Sequence, residues 1–227
     1  ETYKDACLRA IRDLSPINLS IREGERFTLS ELSPKYVQIL NNIDNSPGLV
    51  FCYSQFRSVE GVEILSRVLE QNGYSKLIIN PEGELGYSDE SIEIGTKVRI
   101  ETGDNIWKTT IVVAKIEGDV PKFRVKLNET EYTRAQIHKC FYGLWTGTEV
   151  PLQRSATLRL YNKRNNMFGQ KCKILLTTAS GSEGISLMNV RQVHIMEPYW
   201  NNIRIDQVIG RARRIKSHIY LPKDQRN

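Results

Sequence analysis

The strongest constraint on the fold is a set of short, continuous apolar or apolar-centred runs: Leu49-Val-Phe-Cys-Tyr53, Lys173-Ile-Leu-Leu-Thr177 and Val190-Arg-Gln-Val-His-Ile-Met196. A half-exposed strand alternates polar and apolar residues, whereas a strand covered on both faces reads as an unbroken apolar stretch. Between such runs lie helical patterns. Val59 to Gln71 turns Val62, Leu65, Val68 and Leu69 inward and closes on Asn72-Gly73. Leu152 to Asn162 is a further helix, broken by Asn165-Asn166, and Ile203 to Arg213 is another. With Lys76-Leu-Ile-Ile79 as the strand after the first of these helices, the order is strand, helix, strand, which predicts a parallel sheet flanked by helices. Upstream, Cys7, Ala10, Ile11 and Leu14 predict a helix over 3–14, stopped by Ser15-Pro16 and followed by a connecting arm over 17–30. Ser33-Pro34 then opens a second helix, with Ser33 as N-cap and an apolar face of Tyr36, Val37, Ile39, Leu40 and Ile43.

The α/β grammar is interrupted. After a polar, glycine-rich linker from Pro81 to Gly86, Lys97 to Ile100, Trp107 to Ile116 and Phe123 to Leu127 alternate with period two, separated by the turns Gly103-Asp-Asn105 and Glu117-Gly-Asp119. Short strands without helices between them predict a small antiparallel β-barrel. From Tyr142-Gly143-Leu-Trp145 the helix–strand alternation resumes. The expected division is therefore residues 1–80 and 142–227 as two parts of one α/β lobe, with 81–141 inserted between them.

The candidate chemistry is concentrated in Gln207-Val-Ile-Gly-Arg-Ala-Arg-Arg214. On a helix, Arg211 and Arg214 share a face, with Gln207 one turn before Arg211. Arginine suits phosphate because its planar fork donates in two places and keeps its charge. Basic clusters alone are commonplace solvated faces, so the lead-in matters. It consists of the Val190–Met196 strand and, before it, Thr177-Thr-Ala-Ser-Gly-Ser-Glu-Gly-Ile-Ser-Leu187, a strand running into a Ser/Gly loop.

These residues resemble a known family. Gln207 to Arg214 resembles motif VI (Q-x-x-G-R-x-x-R) of superfamily 2 helicases, the Thr177–Leu187 loop resembles their motif V, and Leu49 to Ser54 resembles motif IV. The continuation Arg214-Ile-Lys-Ser-His-Ile-Tyr-Leu-Pro222 is similar to helicases and early-transcription ATPases of large cytoplasmic DNA viruses. The resemblance implies a RecA-like C-terminal lobe, and the inserted barrel resembles Tudor or SH3-like modules. It also implies that Arg211 and Arg214 act as arginine fingers on ATP, with Gln207 contacting a phosphate or the attacking water. Glu183, Gly184 and Gly210 are the expected nucleotide-binding positions, and Ser54, Thr178 and Arg213 the expected contacts to DNA or RNA. For Ser54, simple N-capping is a nearly equal reading. No G-x-x-x-x-G-K-[ST] loop and no acidic magnesium motif occurs in the sequence. ATP and its Mg would then be held mainly by an N-terminal lobe of the same polypeptide, and the chain alone is expected to be inactive. A start at Glu1 rather than Met is consistent with an excised piece.

Composition sets wider bounds. A net charge of +6 with a pI of about 9.1 leans mildly toward a polyanionic partner. Cys7, Cys52, Cys140 and Cys172 are far apart with no C-x-x-C pair, which argues against a zinc site and for a reducing compartment, the host cytoplasm or a virion if the source is viral. No apolar run is long enough for a membrane helix and no signal peptide is evident, so no membrane partner is expected. His194 reads as a core histidine, and Trp145 and Trp200 read as packing residues. Two rival readings remain open. One is a nucleic-acid-binding or interaction module that keeps the fold without turnover. The other makes the barrel a contact for a transcription or replication partner or a reader of peptides or histone-like tails. The tail reading needs an aromatic cage, for which Trp107, Tyr132 and Phe123 are too few and too scattered in the sequence.

Overall fold

The computed structural model describes residues 28–58, 61–79, 91–128, 130–182 and 184–226, together with Thr2, Asp5, Ala6, Arg9 and Leu19. The helix expected over 3–14, most of the arm that follows, Cys7, the Pro81–Gly86 linker and Glu183 lie outside the described residues.

The first sheet is wholly parallel. Its strands are β1 (Leu49–Ser54), β2 (Ser75–Lys76), β8 (Phe141–Trp145), β9 (Ile174–Thr178) and β10 (Val190–Ile195), in the order β10-β1-β9-β8-β2. Every residue of β1 and of β9 is buried, as their apolar runs require of central strands. Helices α1 (Leu29–Leu32), α2 (Pro34–Asn45) and α3 (Val62–Gln71) precede β2, and α4 (Pro151–Tyr161) follows β8. On one face, Ile39, Leu40 and Ile43 of α2 and Leu65, Val68 and Leu69 of α3 pack on Val50, Cys52, Ile174 and Leu176. On the other, Ala156, Leu160 and Tyr161 of α4 pack with Leu49, Phe51 and Leu175, joined by Val208 and Ala212 from the last helix. Cys52, Cys140 and Cys172 are free and buried. Burial pushes the Cys140 and Cys172 thiols up to about 11 and about 12, so neither is a nucleophile at neutral pH.

Local chemistry departs from expectation in three places. Pro34 stands at the first turn of α2, but the Ser33 side chain makes no capping bond, because Ser33 also ends α1 and its amide donates to Leu29. Helix α3 begins at Val62, with Gly61 as N-cap, and Val59, the start expected from the sequence, lies outside the described residues. The strand expected over 76–79 forms a continuous ladder over Ser75–Lys76, after which Leu77 adds one further bond to Tyr142 (2.8 Å) and Ile79 forms an isolated bridge.

The second sheet is antiparallel. It contains β3 (Lys97–Gly103), β4 (Ile106–Ile116), β5 (Lys122–Val125), β6 (Glu131–Thr133) and β7 (Ile137–Lys139), in the order β6-β5-β4-β3-β7. Its core is Ile92, Val98, Ile100, Val112, Phe123, Val125 and Ile137. Edge strands β6 and β7 are joined only by the 3-10 turn Arg134–Gln136. A flat five-stranded sheet would hold its edges about 19 Å apart, whereas the chain from Thr133 to Ile137 reaches at most about 15 Å. The sheet must therefore roll. It does not close into the expected barrel, since among the described residues β6 and β7 share no ladder. Both are three residues long, and Thr133 and Gln136 bind each other across the turn, so the edges meet at a corner rather than side by side.

Two buried cations fasten this sheet to the lobe. Arg99 donates to the carbonyls of Ser46 (3.3 Å), Pro47 (2.7 Å) and Trp107 (3.3 Å) and to Thr109 Oγ1 (3.0 Å). Lys173, also fully buried, donates to Ser46 O (3.2 Å) and to Thr109 Oγ1. Burial, reinforced by the Arg99 charge, holds the Lys173 amine well below the usual lysine value. The unfolded state therefore binds more protons than the folded state between that lowered value and about 10.4, so stability rises with pH across this window. Lys173→Met should be more stable than wild type near neutral pH, and the gap should close as pH approaches about 10. Urea unfolding of both chains across that range checks this. A gap independent of pH would mean Lys173 is charged in the fold.

Candidate functional site

The carboxyl ends of the parallel strands bring the sequence candidates to one edge, where open α/β sheets place their ligands. Ser54 and Thr178 are register partners at the ends of β1 and β9. Both hydroxyls are buried and bonded within the chain. Ser54 Oγ donates to Glu197 Oε1 and the Phe56 carbonyl (2.9 Å each), while Gln55 N donates to Glu197 Oε2 (2.9 Å). Thr178 Oγ1 donates to Thr146 O (3.1 Å). In this arrangement both side chains brace the loops at the sheet's edge.

The loop after β9 is packed tightly. Ala179–Ser182 forms a single helical turn, α5, on which Ser180 Oγ donates to Thr146 O (3.1 Å) and Gly181 O accepts the indole N–H of Trp145. A Cβ on Gly181 would lie 2.1 Å from Trp145 O, so only glycine fits there. Gly184 has φ +76 and open space around it, which suits the close backbone approach expected of it.

Helix α6 (Asn202–Ala212) starts at Asn201, whose side chain accepts from Ile203 N (2.9 Å). Arg204, Gln207 and Arg211 lie three and four residues apart, so they share a face. They line an open cleft of about 840 Å³ together with Tyr53, Ala179, Tyr199, Asn201, Ile203 and Val208. Among the described residues no carboxylate lines this cleft, and Arg204 and Arg211 make that described wall positive and suited to an anion. Arg204 is the residue that the sequence reading missed. It bonds the hydroxyls of Tyr199 (3.2 Å) and Tyr53 and lies 4.9 Å from the Tyr199 ring centroid. The signal was available, since Arg204 stands one turn before Gln207. Gly210 is exposed on α6 with nothing within contact of an added Cβ.

Arg214 does not share the face of Arg211. The helix ends at Ala212, because Leu187 N donates to Arg211 O (3.1 Å) and Ser217 Oγ to Ala212 O (3.1 Å), taking carbonyls that a longer helix would use. Arg213 is the C-cap, and Arg214 lies beyond it with its guanidinium on Ser186 Oγ. Both line a different groove with Val190, Arg191, Val193 and His218. His218 Nε2 donates to the Val190 carbonyl (2.8 Å), a structural tie between the chain's end and β10. His194 is partly buried, and burial lowers its pKa, as fits a histidine packed in the lobe. Trp145 packs inside, with Arg154 stacked over it at 5.1 Å. Trp200 does not pack: it is 86% exposed beside Tyr199 on the rim of the cleft.

Residues 107–216 match the family profile of the helicase conserved C-terminal domain. The chain is 34% identical over 203 residues to a termination factor NPH-I homolog of African swine fever virus (isolate Tick/Malawi), covering 89% of this chain and 26% of that protein. It is 27% identical over 190 residues to a protein of Acanthamoeba polyphaga mimivirus provisionally named an ATP-dependent RNA helicase, covering 84% of this chain and 24% of that protein. It is 37% identical over 73 residues to nucleoside triphosphatase I of Melanoplus sanguinipes entomopoxvirus, covering 32% and 11%. The chain thus spans about a quarter of the length of the first two relatives.

Proposed function

We propose, from the premise that this chain carries the C-terminal lobe of a superfamily 2 helicase, that it supplies one wall of an ATP site whose other wall is an N-terminal lobe of the same polypeptide. The observation that carries this reading is the cleft in which Arg204, Gln207 and Arg211 face one space, with no carboxylate among its described lining residues. Two guanidinium groups and an amide fit phosphate oxygens by charge and by donor count. ATP with its Mg would supply the phosphoryl group that is transferred to water. Among the described residues no cluster of three His, Cys, Asp or Glu side chains could hold a metal, so in this reading the ion rests mainly on the other lobe.

Arg211 would donate to the γ-phosphoryl oxygens as charge develops there, and Gln207 would orient a phosphate or the attacking water. Arg204 would fix the position of the cleft wall through its two tyrosines. Arg214 is exposed, so its guanidinium can exchange Ser186 for a phosphate at the cost of one surface hydrogen bond. Glu183, Gly184 and Gly210 remain proposed nucleotide positions, and closure of the two lobes would drive stepping along DNA or RNA. Nucleic acid would be met by backbone amides of the loops braced by Ser54 and Thr178 and by exposed cations such as Arg213. We read residues 81–141 as an inserted module, available to a transcription or replication partner.

The nucleic-acid half of this reading is tested by fluorescence titration of the chain with an oligonucleotide at several salt concentrations. Weak binding that falls steeply as salt rises is expected, since phosphate contacts release counterions. Binding indifferent to salt, or sharply selective for one sequence, would contradict it.

A further inference from the structure

Rolling of the second sheet brings together residues that stand far apart in the sequence. The tip of the β3–β4 hairpin supplies Glu101, Asp104 and Trp107, and the corner between β6 and β7 supplies Tyr132, Gln136 and His138. They line an open cavity of about 550 Å³. Trp107 faces Glu101 across the hairpin, and its ring meets His138 edge-on at 5.3 Å. Phe123 takes no part, being buried in the sheet's core, so the aromatic set differs from the one that looked too scattered in the sequence.

The charge of this cavity opposes that of the whole chain. The chain carries +6, yet the cavity is lined by two exposed carboxylates and no lysine or arginine. Glu101 accepts only the Asn105 amide (3.1 Å) and Asp104 only the Asn105 side chain (3.3 Å), and among the described residues neither forms an ion pair. Arg134, on the adjoining corner, is turned back to the carbonyl of Ile137 (3.1 Å). Burial, then the nearby Arg134 charge, lowers the His138 pKa, which keeps that ring neutral at physiological pH.

We propose that this cavity binds an arginine side chain presented by an extended segment of a partner protein, its guanidinium stacked on Trp107 and Tyr132 and hydrogen-bonded to Glu101 and Asp104. Aromatic faces attract a cation through their quadrupole, and a weakly hydrated guanidinium gives up its water more readily than an ammonium. A quaternary ammonium would satisfy the rings but has no N–H for the carboxylates. Arginine supplies five donors in a plane, which decides between them. The proposal is independent of the ATP reading, because no residue of the α6 cleft is involved.

The test is two-dimensional amide NMR of the 15N-labelled chain titrated with capped Gly-Arg-Gly, Gly-trimethyllysine-Gly and Gly-Gln-Gly peptides and with a short oligonucleotide. The arginine peptide is expected to move the Trp107 indole N–H and the amides around 101–107 and 132–138 saturably. Trp107→Ala should abolish the shifts. The double substitution Glu101→Gln, Asp104→Asn, on exposed side chains that leave the fold intact, should weaken binding about tenfold or more. Three results would overturn the assignment: no saturable shift at Trp107, trimethyllysine or glutamine peptides binding as well as arginine, or full affinity in the double variant. An oligonucleotide that moved the same resonances at lower concentration would assign this face to nucleic acid and equally overturn it.

Discussion

On the proposed function, Arg211→Ala in the full-length polypeptide is expected to lower kcat for ATP hydrolysis by about 10³-fold or more, the effect of losing an arginine finger. Nucleotide affinity should fall far less, because the guanidinium matters most where charge develops in the transition state. Arg211→Lys should fail nearly as badly, since a point charge cannot reproduce the two-pronged donor. Arg213→Ala should stay much closer to wild type, because Arg213 caps the helix and faces the groove beside His218 rather than the cleft. Steady-state ATPase with parallel nucleotide binding reads both quantities. Equal damage at Arg213 would mean that the wrong side of the helix end has been assigned to the nucleotide.

Gly181→Ala is expected to be strongly damaging to the lobe's loop region. The added carbon would sit 2.1 Å from the Trp145 carbonyl oxygen and 3.0 Å from Thr177 Oγ1. Both neighbours are held by strands β8 and β9, and Thr177 Oγ1 itself donates to Trp145 O (2.7 Å), so neither can yield. Relief requires moving α5 and breaking the bond from the Trp145 indole. A cost of about 3 kcal/mol, the upper range for overpacking, is expected. In a chain of this size that lowers Tm by roughly 10 °C. A thermal melt within a degree or two of wild type would show that the loop is looser than its contacts indicate.

Much of the α/β core is legible in the sequence because a doubly covered strand leaves a distinctive mark. Leu49–Tyr53 has no polar residue to place in water, and Val50, Phe51 and Cys52 pair on both sides as that mark requires. The cleft is half legible, since the resemblance of 207–214 to motif VI singles out Gln207 and Arg211 and helical spacing sets them on one face. Arg214 is where spacing misled. The helix end is set by Leu187 and Ser217, which reach α6 only through the tertiary fold and leave no local trace. The same holds for Ser54, whose hydroxyl is taken by Glu197, 143 residues away. The aromatic cavity was illegible for a further reason. Period-two alternation gives the face of each side chain but not the strand order, and the order β4-β3-β7 is what sets Trp107 beside His138.

The central claim is that this lobe holds half of an ATP site. It is tested most directly by assaying steady-state ATP hydrolysis by the purified chain alone, with Mg and with nucleic acid present. The account predicts no turnover above background, because the chain has no phosphate-loop lysine and no acidic magnesium motif. Hydrolysis at a rate ordinary for enzymes, on the order of 1 per second or faster, that persisted through further purification would contradict it.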